Sequence, residues 1–108
     1  MNEHERKVID LMIKYAKTAI QFSSGLGFDK FIKDAKTVDA CVLNLIQVGE
    51  MVARLEDEFI DLHKHIPWRK IKDMRNRIVH DYEEINLDIV WEVINEFLPE
   101  LIANLKAL

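Results

Sequence analysis

The sequence has few of the residues that interrupt regular structure or cross-link a chain. It contains three glycines, two prolines and one cysteine among 108 residues. So few chain breakers indicate long regular elements joined by short connections. The single cysteine, Cys41, excludes an internal disulfide, and its apolar neighbours indicate a buried structural thiol rather than a nucleophile.

Long apolar runs and an excess of basic charge are also missing. No run approaches the roughly 20 apolar residues needed to cross a bilayer, and the charged opening MNEHERK lacks the apolar region of a signal peptide. We therefore expect a cytoplasmic protein without a membrane partner. The 19 acidic and 15 basic residues give a formal charge of −4. This balance argues against a surface that is basic throughout, but it is compatible with a local phosphate-binding patch.

What the sequence does contain is helical periodicity. Apolar residues recur at three- and four-residue steps over residues 3 to 23 and again from about residue 35. A third helix is predicted over residues 67 to 80, with Pro67 in its first turn. A fourth is predicted over residues 86 to 108, with Asn86 as its N-cap. The sequence therefore predicts an all-α fold, an antiparallel bundle of four main helices in a single domain of residues 1 to 108.

The predicted helices carry apolar stripes that should face the core. The stripe of the first helix consists of Val8, Leu11, Met12, Tyr15, Ala16, Ala19 and Phe22. The stripe of the second consists of Val38, Cys41, Val42, Leu45, Gly49, Val52 and Ala53. Gly49 lacks a side chain at such a position, which permits close approach of another backbone. Polarity rises over residues 54 to 59, and residues 63 to 67 are expected to be a connection. Pro99 should kink or interrupt the fourth helix near residues 95 to 98.

The third predicted helix carries polar residues in unexpected positions. At about 100° per residue, its apolar side comprises Trp68, Ile71, Met74, Ile78, Val79 and Tyr82. Arg75 falls in the middle of that side. Its stem could pack while its head reaches water, or its guanidinium could be held in a cleft to bind an anion through two hydrogen bonds. The same segment is locally basic, with Arg69, Lys70, Lys72, Arg75 and Arg77.

His80 poses a geometric problem within the segment MRNRIVHDY, residues 74 to 82. It follows Arg75 by five positions, which places the two side chains about 140° apart on a straight helix. Either the helix ends or distorts near Val79, or a second subunit completes the site. Asn76 lies four residues before His80 and shares its side, so its amide could hydrogen-bond the imidazole. On its own, a histidine in this place is more often a cap at the helix C-terminus than a catalyst.

These residues resemble a known family. The run Arg75-Asn-Arg-Ile-Val-His80-Asp-Tyr82 is similar to the Arg-x4-His-x-Tyr motif of the HEPN superfamily, and in particular of its HepT-like toxin branch. The segments DACVLNLIQVGEMVARL, IPWRKIKDMRNRIVHDY and VWEVINEFLPEL resemble the same family in the same order. Together with the first helix, the resemblance covers most of the chain.

The resemblance implies a homodimer of helical bundles whose two arginine–histidine motifs meet at a cleft between the subunits. It implies a metal-independent endoribonuclease of a prokaryotic toxin–antitoxin pair, acting on RNA, with tRNA as one candidate, and needing no cofactor. The partner would be an MNT-type nucleotidyltransferase antitoxin that adds AMP to the motif tyrosine. Carried over by position, Arg75 and His80 would be catalytic, Asn76 supporting and Tyr82 the modified residue.

Two other interpretations stay open. The chain could be a non-catalytic HEPN binding or scaffold subunit that partners a nucleotidyltransferase, or a bundle whose polar residues only stabilise a dimer interface. His63 and His65 are weak indicators of a metal site, because no cysteine or carboxylate cluster accompanies them. Trp68 and Trp91 are expected in the core or an interface. Glu50 lies off the main stripe of its helix and either faces the cleft or is exposed.

Overall fold

A computed structural model describes all residues from 1 to 108 and contains no β-strand. The helices are α1 (Glu3–Ser23), α2 (Phe28–Phe31), α3 (Ala35–Val52), α4 (Asp57–Leu62), α5 (Trp68–His80), α6 (Leu87–Glu92) and α7 (Leu98–Lys106). A 3₁₀ turn over Tyr82–Glu84 follows α5, and a π-helical segment over Val93–Phe97 joins α6 to α7. The all-α prediction is therefore confirmed. None of the helices combines the length and apolar character needed to span a membrane.

Side-chain caps explain where several helices begin. At α1 the Asn2 Oδ1 accepts from the Glu5 N–H at 2.8 Å, and the Glu5 carboxylate accepts from the Asn2 N–H at 2.9 Å, which is a capping box. At α3 the Asp34 carboxylate accepts from the hydroxyl and the backbone N–H of Thr37, and these bonds lower the pKa of Asp34. Asn86 caps α6 through the Asp88 N–H at 2.9 Å, as predicted.

Helix α3 is the central element of the structure. It packs against α1 and against α5, while the π-helical segment and α7 pack on α1. Side chains from these helices form one continuous buried core, in which Leu45 of α3 and Ile71 of α5 are fully buried. Because α3 packs between α1 and α5, the residues of α3 that face α5 determine the position of α5.

Two expectations about the first helix need correction. Phe22 is 48% exposed, because Ser23 and not Phe22 continues the buried stripe in the last turn of α1. The Ser23 hydroxyl can be buried there since it donates to the Ala19 carbonyl at 3.1 Å. Ile9, absent from the predicted stripe, is fully buried. The expected connection of residues 63 to 67 is confirmed. The short helix α4, which was not predicted, precedes this connection, and Phe59 anchors it in the core.

The predicted distortion before Pro99 is confirmed. Pro99 is the second residue of α7 and has no N–H to donate, and its ring excludes a regular turn over Asn95. The chain responds by widening: the Leu98 N–H donates to the Val93 carbonyl, five residues earlier, across the π-helical segment. The C-terminal region is therefore two helices with a change of winding between them.

Candidate active site

Helix α5 is fixed at its start by a buried tryptophan. Trp68 is the first residue of the helix, and its indole N–H donates to the His63 carbonyl at 2.9 Å. Its ring lies 6.2 Å from that of Phe59, centroid to centroid. The side chains of Trp68, Ile71 and Ile78 are buried and form the core-facing side of α5. The expectation that Trp68 belongs to the core is confirmed, and α5 has a defined position against α3.

Gly49 is the point of closest approach between α3 and α5. A Cβ added to Gly49 would lie 2.7 Å from the Arg75 Cγ and closer still to the Arg75 Cβ. It would also contact the Ile71 carbonyl at 3.5 Å. The predicted close approach at Gly49 is therefore confirmed, and the structure identifies the residue that it admits. Gly49 makes room for the base of the Arg75 side chain.

Arg75 is held by two neighbours in the resulting crevice. Its Nε–H donates to the Glu50 carboxylate at 2.6 Å, and its Nη1 donates to the Asn76 Oδ1 at 2.9 Å. The Arg75–Glu50 pair is the only ion pair within the chain, and its two side chains are 32% and 40% exposed. Arginine has five N–H donors in a planar fork. The guanidinium is thus oriented by its Nε edge while the remaining donors stay available to an anion.

The end of α5 falls at His80. Asp81 leaves the helix at φ −107° and ψ 24°, and its N–H makes the last helical bond, to the Arg77 carbonyl at 2.9 Å. The prediction that the helix ends near His80 is confirmed. The His80 side chain is exposed and makes no hydrogen bond within the chain. The suggested bond between Asn76 and the imidazole is absent; the Asn76 Oδ1 accepts from Arg75.

Tyr82 lies beyond α5, in the 3₁₀ turn, and is 53% exposed. The helical wheel placed Tyr82 and Val79 on the apolar side with Arg75, and this was wrong for both. Because α5 stops at His80, the wheel does not apply to Tyr82. Val79, in the last turn of α5, is exposed. The structure therefore joins Arg75, Asn76 and Glu50 in one network and leaves His80 and Tyr82 outside it, at the C-terminal end of the same helix.

The sequence left the role of Glu50 open, and the structure resolves its position. Glu50 directly follows Gly49, and so it lies beside the crevice that Gly49 creates. One signal for this contact was available in the sequence. A glycine on an apolar stripe indicates a near neighbour, and a charged residue next to that glycine borders the same contact.

The sequence also singled out His63 and His65 as weak metal-site candidates and Cys41 as a buried thiol. No cluster of three or more histidine, cysteine or carboxylate side chains is arranged to hold a metal ion. The His63 ring packs on Phe59, with centroids 4.5 Å apart. Cys41 is fully buried, its thiol donates to the Ala19 carbonyl at 3.4 Å, and burial raises its pKa to about 11. The expectation of a buried structural thiol at Cys41 is confirmed.

The fold and the crevice together define a class of protein. It is a small all-α chain with an oriented arginine in the middle of a helix and a histidine at the end of that helix. The family described as "Ribonuclease HepT-like" matches residues 12–108. The chain therefore belongs to the HepT-like ribonuclease family of the HEPN superfamily.

Curated relatives agree with this assignment. The chain is 33% identical over 101 residues to "Putative RNase TTE0752" of Caldanaerobacter subterraneus, which spans 94% of this chain and 90% of that protein. It is 30% identical over 95 residues to "Putative RNase MJ0127" of Methanocaldococcus jannaschii, spanning 88% and 78%. It is 31% identical over 81 residues to "Probable ribonuclease HepT" of Thermococcus cleftensis, spanning 75% and 74%. No solved structure matches the chain.

Proposed function

We propose that this protein is a metal-independent endoribonuclease that cleaves RNA with Arg75 and His80. The observation that carries the proposal is the orientation of Arg75. An arginine intended only for solvent would not need a glycine to admit its stem and a carboxylate to hold its Nε–H at 2.6 Å. An oriented guanidinium presents its remaining donors in a fixed geometry, which suits a phosphate oxygen pair.

The chemistry of RNA cleavage assigns a separate role to each residue. In metal-independent cleavage the 2′-oxygen attacks the adjacent phosphorus, and the bond from phosphorus to the 5′-oxygen breaks. One proton leaves the 2′-hydroxyl and one reaches the departing 5′-oxygen, so the products are a 2′,3′-cyclic phosphate and a 5′-hydroxyl. Histidine suits such proton transfer near neutral pH. Arg75 would stabilise the charge that builds on the phosphate oxygens in the transition state.

The geometry favours a site completed by two subunits. Arg75 is held toward α3, whereas His80 projects from the exposed end of α5 without a partner in its own chain. We propose a homodimer in which the two arginine–histidine motifs share one cleft. RNA would enter that cleft and contact Arg75 and His80 together.

A direct assay tests the nuclease. Purified protein is incubated with total RNA and with tRNA in excess EDTA, beside His80→Ala and Arg75→Ala. His65→Ala and Arg6→Ala serve as matched controls, because both positions are exposed and lie outside the network. We expect cleavage by the native chain and by the controls, and a loss of at least about 100-fold in the two site variants. Equal cleavage by all five proteins, or none by the native chain, would refute the mechanism.

We also propose that the protein is the toxin of a HEPN/MNT toxin–antitoxin pair, silenced by AMP addition to Tyr82. The exposure of Tyr82, 53%, makes its hydroxyl accessible to a second enzyme. An AMP group there would add bulk and negative charge close to the end of α5, where substrate phosphate would bind. Co-expression with a small nucleotidyltransferase should add AMP-sized increments to the intact mass. Tyr82→Phe should abolish the increments and Tyr15→Phe should retain them; increments that survive Tyr82→Phe contradict the assignment.

One observation favours a second function. The carboxylate of Glu50 already pairs with Arg75, as in a purely structural crevice. A non-catalytic scaffold that presents Tyr82 to a nucleotidyltransferase would have this arrangement too. That alternative predicts AMP addition without RNA cleavage, and the two assays above separate it from the toxin.

A further inference from the structure

Glu50 is the residue of the crevice to which neither the motif nor the family match assigns a role. It lies in α3, 25 positions before Arg75, and reaches it across the helix–helix contact with an Oε1–Nε distance of 2.6 Å. The short distance, in a chain with no other ion pair, indicates a specific arrangement. An ion pair whose side chains are 32% and 40% exposed contributes little to stability. The contact therefore calls for an explanation other than folding.

Glu50 accepts from the Nε–H of Arg75, and this choice of donor restricts how Arg75 can bind a phosphate. Arginine binds a phosphate either through its two Nη atoms or through Nε and one Nη. Glu50 occupies the Nε–H, which removes the second mode and leaves the Nη edge. Asn76 accepts one Nη1 hydrogen and so limits rotation of the guanidinium plane. With its stem against Gly49, the side chain is constrained at its base, at Nε and at Nη1.

We infer that Glu50 is a positioning residue for the proposed RNA cleavage: it aims the Nη edge of Arg75 at the scissile phosphate. This inference rests on the proposed ribonuclease function. Preorganised donors act mainly on the transition state, so loss of Glu50 lowers kcat more than it raises KM. The effect is geometric. It depends on an acceptor at the right distance more than on the negative charge of Glu50, which by itself opposes phosphate binding.

Two conservative variants separate the effect of the distance between the acceptor of residue 50 and Arg75 from the effect of the charge of residue 50. Glu50→Gln keeps an Oε1 acceptor at the same distance and removes the charge. Glu50→Asp keeps the charge and withdraws the carboxylate by one methylene. Positioning predicts that Gln stays within about 3-fold of the native kcat, whereas Asp and Ala lose about 10-fold or more with KM nearly unchanged. Asp39→Ala is the matched control, because Asp39 is exposed on the same helix and makes no side-chain bond.

A double-mutant comparison links the effect to Arg75. If Glu50 acts through the guanidinium, Glu50→Ala has no further effect in an Arg75→Ala background. Circular dichroism and the midpoint of thermal unfolding establish that each variant is folded. Should Glu50→Ala not fold, the contrast between the Gln and Asp variants still decides the question.

Three results overturn the inference. One is kcat for Glu50→Ala and Glu50→Asp equal to that of the Asp39→Ala control. Another is faster cleavage by Glu50→Ala, which would make Glu50 a restraint on Arg75. The third is an undiminished effect of Glu50→Ala after Arg75 is removed. A native chain that cleaves no RNA overturns the inference as well, but through the proposed function, and that outcome is visible before any Glu50 variant is compared.

Discussion

Replacing Gly49 by alanine should reduce the rate of RNA cleavage far more than it reduces the free energy of unfolding. The added Cβ would lie 2.7 Å from the Arg75 Cγ, where carbon atoms normally stay about 3.5 to 4.0 Å apart. The Arg75 Cβ would be closer still, and it is fixed to the backbone and cannot rotate away. Relief therefore requires α5 to move from α3 by roughly 1 Å.

Two opposing effects set the expected loss of stability. Overpacking of a core costs about 1 to 3 kcal/mol, while alanine in a helix interior gains about 1 kcal/mol over glycine. We expect a net destabilisation of about 1 kcal/mol, or a fall of roughly 5 °C in Tm for a chain of this size. A displacement of about 1 Å at a reacting group can cost about 100-fold in rate, so cleavage should fall far more than stability does.

Thermal unfolding followed by circular dichroism and the EDTA-resistant RNA cleavage assay measure the two effects on the same protein. Gly27→Ala is the matched control, since a Cβ at Gly27 would meet nothing within 4 Å. It should change stability by less than about 1 kcal/mol and leave cleavage unaltered. A Gly49→Ala protein with native or higher Tm and a native cleavage rate would show that the contact of α3 with Arg75 does not constrain the site.

Three further predictions concern other parts of the chain. Cys41 is held as a neutral thiol by burial, with its pKa raised from 9.0 to about 11; its contribution to stability is present below pH 9 and is lost as pH rises through 11. Denaturant titrations of native protein and Cys41→Ala should show that the variant lacks this alkaline loss, and parallel curves would contradict it. Asn2→Ala removes one side of the capping box of α1 and should cost about 1 kcal/mol in urea unfolding, against no change for the exposed Lys14→Ala. Finally, the groove of about 790 Å³ that borders Asn76 is lined by four cations and three carboxylates, none of them in an ion pair. Neutralising three of these cations with glutamine should weaken binding of single-stranded RNA to His80→Ala protein. The slope of log affinity against log salt should fall by about 0.7 for each lost phosphate contact, whereas K14Q/K30Q/K33Q, with the same charge change elsewhere, should bind normally. The groove cations to be changed are Lys64, Arg69 and Lys72.

The longer elements were predictable from the sequence because their signals repeat over several turns. Helices α1 and α5 have apolar stripes and identifiable ends, and the structure places α1 over Glu3–Ser23 and α5 over Trp68–His80. Pro99 marks a distortion because a missing N–H acts wherever the residue is placed. Helix α4 was missed because its six residues make fewer than two turns and half of them are acidic. A segment so short shows no period, and tertiary contacts of Phe59 decide its conformation.

The candidate site was predictable only in part. A helical wheel orders residues around one axis, so it could place Arg75 on the side of α5 that faces another helix. A wheel carries no information on the distance between two axes, and so it could not identify the partner of Arg75. The only signal for that contact was the position of Glu50 next to Gly49. The wheel also assumes that the helix continues, and it failed for Tyr82, which follows the end of α5.

Arg75 and His80 lie in parts of α5 that differ in local stability. Arg75 lies where α5 is packed on α3, so exposing its backbone requires opening the core. His80 is the last helical residue, and the final carbonyls of a helix have no partner within it. A terminal turn opens at a small fraction of the free energy of global unfolding, and hydrogen exchange should therefore distinguish the two ends of the motif. One half of the motif is fixed by the fold, and the other half can be set by whatever binds at the end of the helix.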